Sequence, residues 1–74
     1  MLSKVDYRHR LAEAERHIDE GLQRIERQRA LIRLMEHKGH DLSQANALLS
    51  AMLNGQRLHE QGRQHVLREL QQFS

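Results

Sequence analysis

Apolar residues in the first half of the chain recur with a seven-residue period. Leucine or isoleucine occupies positions 11, 18, 25 and 32, and a second series of positions lies three residues after each of these. Spacings of three and four place all of them on one face of an α-helix. The pattern predicts one long helix from about residue 4 to residue 38. Its predicted seam consists of Leu11, Ala14, Ile18, Gly21, Ile25, Gln28, Ile32 and Met35.

The segment EHKGHDLSQA, residues 36–45, combines the signals for a helix end and a helix start. Gly39 follows Lys38 where a left-handed residue commonly terminates a helix. Asp41 is a predicted N-cap, and Gln44 three residues later would complete a capping box. We therefore expect a turn at residues 39–41 and a second helix over about 42–72. So short a connection makes the two helices antiparallel neighbours.

The seam of the second helix is predicted by folding it back on the first around His40. Gly21 then faces His59 and Ile18 faces Gly62, so that large residues meet small ones. This packing would explain mid-helix glycines, each of which costs about 1 kcal/mol relative to alanine. The other predicted pairs are Met35 with Ala45, Ile32 with Leu48, Gln28 with Met52, Ile25 with Gly55, Ala14 with Val66, Leu11 with Leu70 and Tyr7 with Phe73.

Asn54-Gly55 is the competing turn signal, since this dipeptide often marks a chain reversal. A break there would remove the pairing of Ile18 with Gly62. We therefore expect the second helix to continue through Asn54 and Gly55.

The composition indicates a chain that needs a partner. At 74 residues it is at most one small domain, which is marginally stable alone. It has no cysteine, which excludes disulfides and thiolate metal sites. Apolar runs are short, and Asp6, Arg8 and Arg10 interrupt any apolar N-terminal leader. We expect a cytoplasmic all-α protein.

Leucines near the turn exceed what a two-helix seam can cover. Exposed apolar surface of this kind usually marks an interface. We expect the coiled-coil-like hairpin to form a homodimer, a four-helix bundle, while a different protein partner stays open. The predicted self-association residues are Leu31, Leu34, Leu49 and Leu53.

Catalytic and metal-binding signals are absent from the sequence. None of the six histidines has a partner three or four residues away on the same helical face, as a helical metal site requires. No nucleophile elbow or phosphate-binding loop is present. We predict a non-enzymatic protein without cofactor or metal.

Basic residues cluster in RIERQRALIR, residues 24–33. Phosphate contacts from such a cluster would make the hairpin an RNA-binding or other nucleic-acid-binding module, the alternative function. The preferred interpretation is a solvated face whose long side chains shield the seam. The candidate contacts are Arg24, Arg27, Arg29 and Arg33.

Four short motifs carry a resemblance to known sequences. They are ERHI-x-EG, RI-x-RQ, the GHD turn and a following A-x-x-LL. Over roughly residues 12 to 70 the chain resembles a group of short proteobacterial helical-hairpin proteins without a characterised function. The resemblance implies the hairpin and no activity.

Overall fold

The computed structural model describes residues 2–73. It contains two α-helices, α1 Lys4–His37 and α2 Ser43–Gln71, which pack against each other. The body measures 55 × 16 × 14 Å. Tyr7 near the start of α1 lies beside Phe73 just after α2, with ring centroids 5.5 Å apart. The helices are therefore antiparallel, and the predicted all-α hairpin is confirmed.

A capping box begins α1. The Asp6 N–H donates to the Ser3 Oγ at 3.2 Å, and the Ser3 N–H donates back to the Asp6 Oδ2 at 3.0 Å. The hydrogen bonds from Ser3 to the carboxylate hold the pKa of Asp6 below its ordinary value. The signal in the sequence is Ser-x-x-Asp, which the heptad pattern does not use.

The turn begins directly after α1. Gly39 has a φ of +76°, in the left-handed region that favours glycine. The His40 N–H donates to the Met35 carbonyl at 2.9 Å, and the Gly39 N–H donates to the Glu36 carbonyl at 3.0 Å. This pair of bonds is a Schellman motif, which satisfies carbonyls at the helix end. The predicted glycine terminus is confirmed.

The predicted capping box at the start of α2 is wrong. Helix α2 begins at Ser43 with Leu42 at the N-cap, and the Leu42 side chain caps nothing. Asp41 lies one residue too early to reach the third helical N–H. Its Oδ1 instead accepts from the Ser43 N–H at 2.9 Å and the Ser43 Oγ at 2.7 Å. These bonds lower the pKa of Asp41, and Gln44 takes no part in them.

Helix α2 passes through Asn54 and Gly55 without a break, as predicted. The Asn54 side chain accepts a hydrogen bond from the Arg57 guanidinium three residues later. Its polar side chain is thus satisfied on the helix surface and does not form a turn.

The seam of α1 follows the predicted heptad. Ile18, Gly21, Ile25 and Gln28 are buried, and the other predicted positions of α1 are half-buried. On α2, positions spaced four and three residues apart face α1. These buried or half-buried residues are Ala45, Leu49, Met52, Gln56, His59, Arg63, Val66 and Leu70.

Three positions predicted for the α2 seam lie outside it. Leu48 is 50% exposed, Gly62 is exposed, and a Cβ added at Gly55 or Gly62 would meet no atom within 4 Å. Helix α2 is rotated relative to the prediction because a glycine buries almost no area, whereas longer side chains gain by facing the partner helix. The seam instead takes the residue after each of them, namely Leu49, Gln56 and Arg63.

In the middle of the hairpin the register also differs from the prediction, whereas the predicted pairing of Tyr7 with Phe73 is kept. Gly21 faces Gln56, three residues before the predicted His59. The shift accompanies the rotation of α2, which turns Gln56 into the seam, where the missing Cβ of Gly21 leaves room for its amide. The predicted pairing of Ile18 with Gly62 is therefore wrong. Among the three helical glycines, only Gly21 makes room for a side chain of the facing helix.

Two glutamines link the helices through side-chain to backbone hydrogen bonds. The Gln28 Nε2 in α1 donates to the Ala45 carbonyl of α2 at 3.0 Å, and the Gln56 Nε2 in α2 donates to the Ile18 carbonyl of α1 at 2.8 Å. Both side chains are buried. Gly21 makes the second bond possible, because a Cβ at that position would overlap the Gln56 Oε1. Buried polar residues in a seam specify register.

Candidate interaction surface

Two open grooves flank the seam on opposite sides. Gly21, Arg24, Leu48, Gly55 and His59 contribute to the first groove, which we call the glycine side. The second groove, the charged side, is lined by Leu22, Ile25, Arg29, Leu53, Gln56, Arg57 and Glu60. The charged side is lined by three charged side chains, Arg29, Arg57 and Glu60, and the glycine side by one, Arg24.

An apolar face runs along α2 and shares Leu48 and Gly55 with the glycine side. Its members are spaced three and four residues apart, which aligns them on the helix surface. Leu48 is 50% exposed and Leu58 is 68% exposed, so the hairpin leaves both largely in solvent. We call this set the second α2 face, and it consists of Leu48, Ala51, Gly55, Leu58 and Gly62.

The predicted self-association residues do not form one patch. Leu31 and Leu34 are exposed, whereas Leu49 and Leu53 are half-buried within the hairpin. Leu53 lines the groove on the charged side. Leu31 lies two helical turns after Arg24, so it shares the glycine side. Folding the chain back around His40 assigns Leu48, Gly55 and Gly62 to the seam, so the sequence alone does not reveal the second α2 face.

The four predicted nucleic-acid contacts are exposed but divided. Arg24 lines the glycine side and Arg29 lines the charged side. Arg27 and Arg33 are also exposed, further round the outer surface of α1. Such an arrangement gives a phosphate backbone no single basic stripe to follow. The alternative of nucleic-acid binding stays a prediction, and a steep loss of RNA or DNA affinity with salt would support it.

His17 and His59 meet across the seam. Their ring centroids are 5.4 Å apart and the rings are inclined at 60°, an edge-to-face contact. Among residues 2–73 there is no group of three or more histidine, cysteine or carboxylate side chains arranged to hold a metal ion. The pair acts as a packing layer of the hairpin.

Neither helix within residues 2–73 combines the length and the apolar character needed to cross a membrane. No protein-family profile, curated protein or solved structure matches the chain. The resemblance to proteobacterial hairpin proteins therefore stays a prediction, and the function has to be inferred from the surfaces.

Proposed function

We propose that the protein is a non-enzymatic assembly module that pairs with a second copy of itself to form a four-helix bundle. The observation that supports this is the shallow core. Within residues 2–73 no large side chain is fully buried, and the buried apolar residues are only Ile18, Ile25, Ala45 and Val66. Chains of this length usually need additional stabilisation from a partner, a metal or a disulfide. Here disulfides are excluded.

The exposed area supports the same proposal. The hairpin exposes 5801 Å², whereas a compact folded monomer of 8.8 kDa exposes about 4,800 Å². The excess of about 1,000 Å² is comparable to the roughly 800 Å² that each partner buries in a standard interface. A second hairpin would therefore cover this excess of exposed surface.

The exposed leucines would form the apolar part of such an interface. Leu31, Leu48 and Leu58 are 47%, 50% and 68% exposed. Burying apolar surface contributes roughly 25 cal/mol per Å². Closed two-fold pairing is the commonest arrangement for identical chains. Assembly would thus complete the fold.

Thermal melting at several protein concentrations tests this proposal. Because pairing stabilises only the folded chain, the melting temperature should rise with concentration. Leu48→Glu should lower the melting temperature and weaken that dependence by placing a charge in the interface. Leu22→Glu is the matched control, since Leu22 is 52% exposed but lines the charged side. A melting temperature that is the same at all concentrations for the wild type would contradict the proposal.

A further inference from the structure

The residues of the second α2 face are not explained by the hairpin itself. Gly55 and Gly62 contact nothing that an added Cβ would disturb, although each costs a helix about 1 kcal/mol relative to alanine. Leu48 and Leu58 project into solvent. The hairpin therefore requires neither the small residues nor the large ones, and their arrangement suits a contact with another chain.

The alternation is self-complementary when a second copy is laid antiparallel on the first. With Gly55 opposite its own counterpart, Leu48 lies opposite Gly62, and Ala51 lies within one residue of the level of Leu58. Each large residue then meets a small one, as close helix packing requires. A parallel arrangement in register would instead place Leu48 against Leu48 and Gly62 against Gly62. We propose that two copies dock α2 against α2, antiparallel, around a two-fold axis at Gly55.

The occupant of this face is thus a second copy of the chain, and the inference rests on the proposed self-association. Three small residues, Ala51, Gly55 and Gly62, let the two backbones approach closely, and the groove beside Leu48 and Gly21 leaves room for an incoming leucine. Around Leu22 on the charged side lie Arg29, Arg57 and Glu60, which pairing would have to desolvate. The glycine side carries one charged side chain, Arg24, so its desolvation costs less.

Single-cysteine variants test this docking directly, because the chain has no cysteine of its own. A residue on the two-fold axis meets its own counterpart. Gly55→Cys should therefore form a disulfide-linked dimer rapidly under mild oxidation, since two close-packed helices bring the Cα atoms within about 4.4–6.8 Å. Asn54→Cys is the matched control, since Asn54 is exposed and turned about 100° from Gly55 on the helix. Its cross-linking should be at least tenfold slower.

Gly62→Leu supplies a second test that does not depend on cross-linking. Nothing lies within 4 Å of a Cβ at this position, so the hairpin itself should keep its helicity. In the dimer the added side chain would collide with Leu48 of the second copy, which should raise the dimer dissociation constant at least tenfold. Gln64→Leu adds the same side chain at an exposed position about 160° round the helix from Gly62, and it should leave the dissociation constant unchanged.

The outcomes separate the docking geometry from self-association as such. Suppose that sedimentation shows a dimer while Gly55→Cys cross-links no faster than Asn54→Cys. The α2 docking would then be overturned and the proposed assembly function would stand. A monomer at every concentration would overturn both. Rapid cross-linking of Gly55→Cys together with a weakened Gly62→Leu dimer would establish the α2 docking.

Discussion

At Gly21 the absence of a Cβ atom allows the Gln56 side chain of the other helix to pack closely. Replacing glycine by alanine within a helix ordinarily stabilises it by about 1 kcal/mol. Here the new Cβ would overlap the amide of Gln56 and displace its bond to the Ile18 carbonyl. An unsatisfied buried amide costs about 1–3 kcal/mol, which outweighs the gain in helix propensity.

We therefore predict that Gly21→Ala lowers the free energy of unfolding by roughly 1 kcal/mol. In a Gln56→Ala background the overlap is gone, and the same substitution should become stabilising. Chemical denaturation of the wild type, both single variants and the double variant gives the coupling between the two sites. If Gly21→Ala is stabilising in the wild-type background, the close approach of the helices at Gly21 is incorrect.

Gly39 controls the turn through its backbone alone. No atom lies within 4 Å of a Cβ built on it, so a substitution meets only the strain of a φ of +76°. We predict that Gly39→Ala destabilises the hairpin by about 1–2 kcal/mol, measured by urea denaturation. Gly39→Asn should lose less, because asparagine tolerates the left-handed region. Equal losses for the two variants would show that backbone strain is not the cause.

At the scale of the elements, an aspartate carboxylate accepts hydrogen bonds from a serine at the start of each helix. Hydrogen bonds from Ser3 and Ser43 lower the pKa values of Asp6 and Asp41. A lowered folded-state pKa means that the stabilisation is complete above the unfolded-state value, near 3.8. It is lost as the pH falls through the lower folded-state value.

We predict that the Asp6→Ala, Asp41→Ala double variant is less stable than wild type at pH 7 and that this difference shrinks as the pH falls below about 4. Melting curves followed by circular dichroism from pH 7 to pH 2 measure the difference. A stability difference between the two proteins that is equally large at pH 7 and pH 2 would show that the charge of the two carboxylates does not stabilise the helices.

The elements also show how far the sequence determines the fold. The heptad predicts α1 and Gly39 predicts the turn, because both signals are local. The rotation of α2 is not local. Two stripes, one through Gly55 and Gly62 and the other through Gln56 and Arg63, share the positions of Ala45 and Val66. Only packing against α1 decides which stripe becomes the seam. For that reason the sequence alone does not identify the second α2 face.

For the whole molecule, we propose that the hairpin is half of a folded unit. A body 14 Å thick with no fully buried large side chain in residues 2–73 is thin for a folded domain. Its uncovered surface is apolar along the second α2 face and is charged on the opposite side. A second copy would bury the former and leave the latter in water.

Sedimentation equilibrium over a wide concentration range tests this claim most directly. We predict a mass that approaches twice 8.8 kDa as the concentration rises. The Leu48→Glu variant should show a much weaker increase in mass, whereas Leu22→Glu should behave as the wild type does. A wild-type chain that sediments as a folded monomer of 8.8 kDa at every concentration would contradict the account.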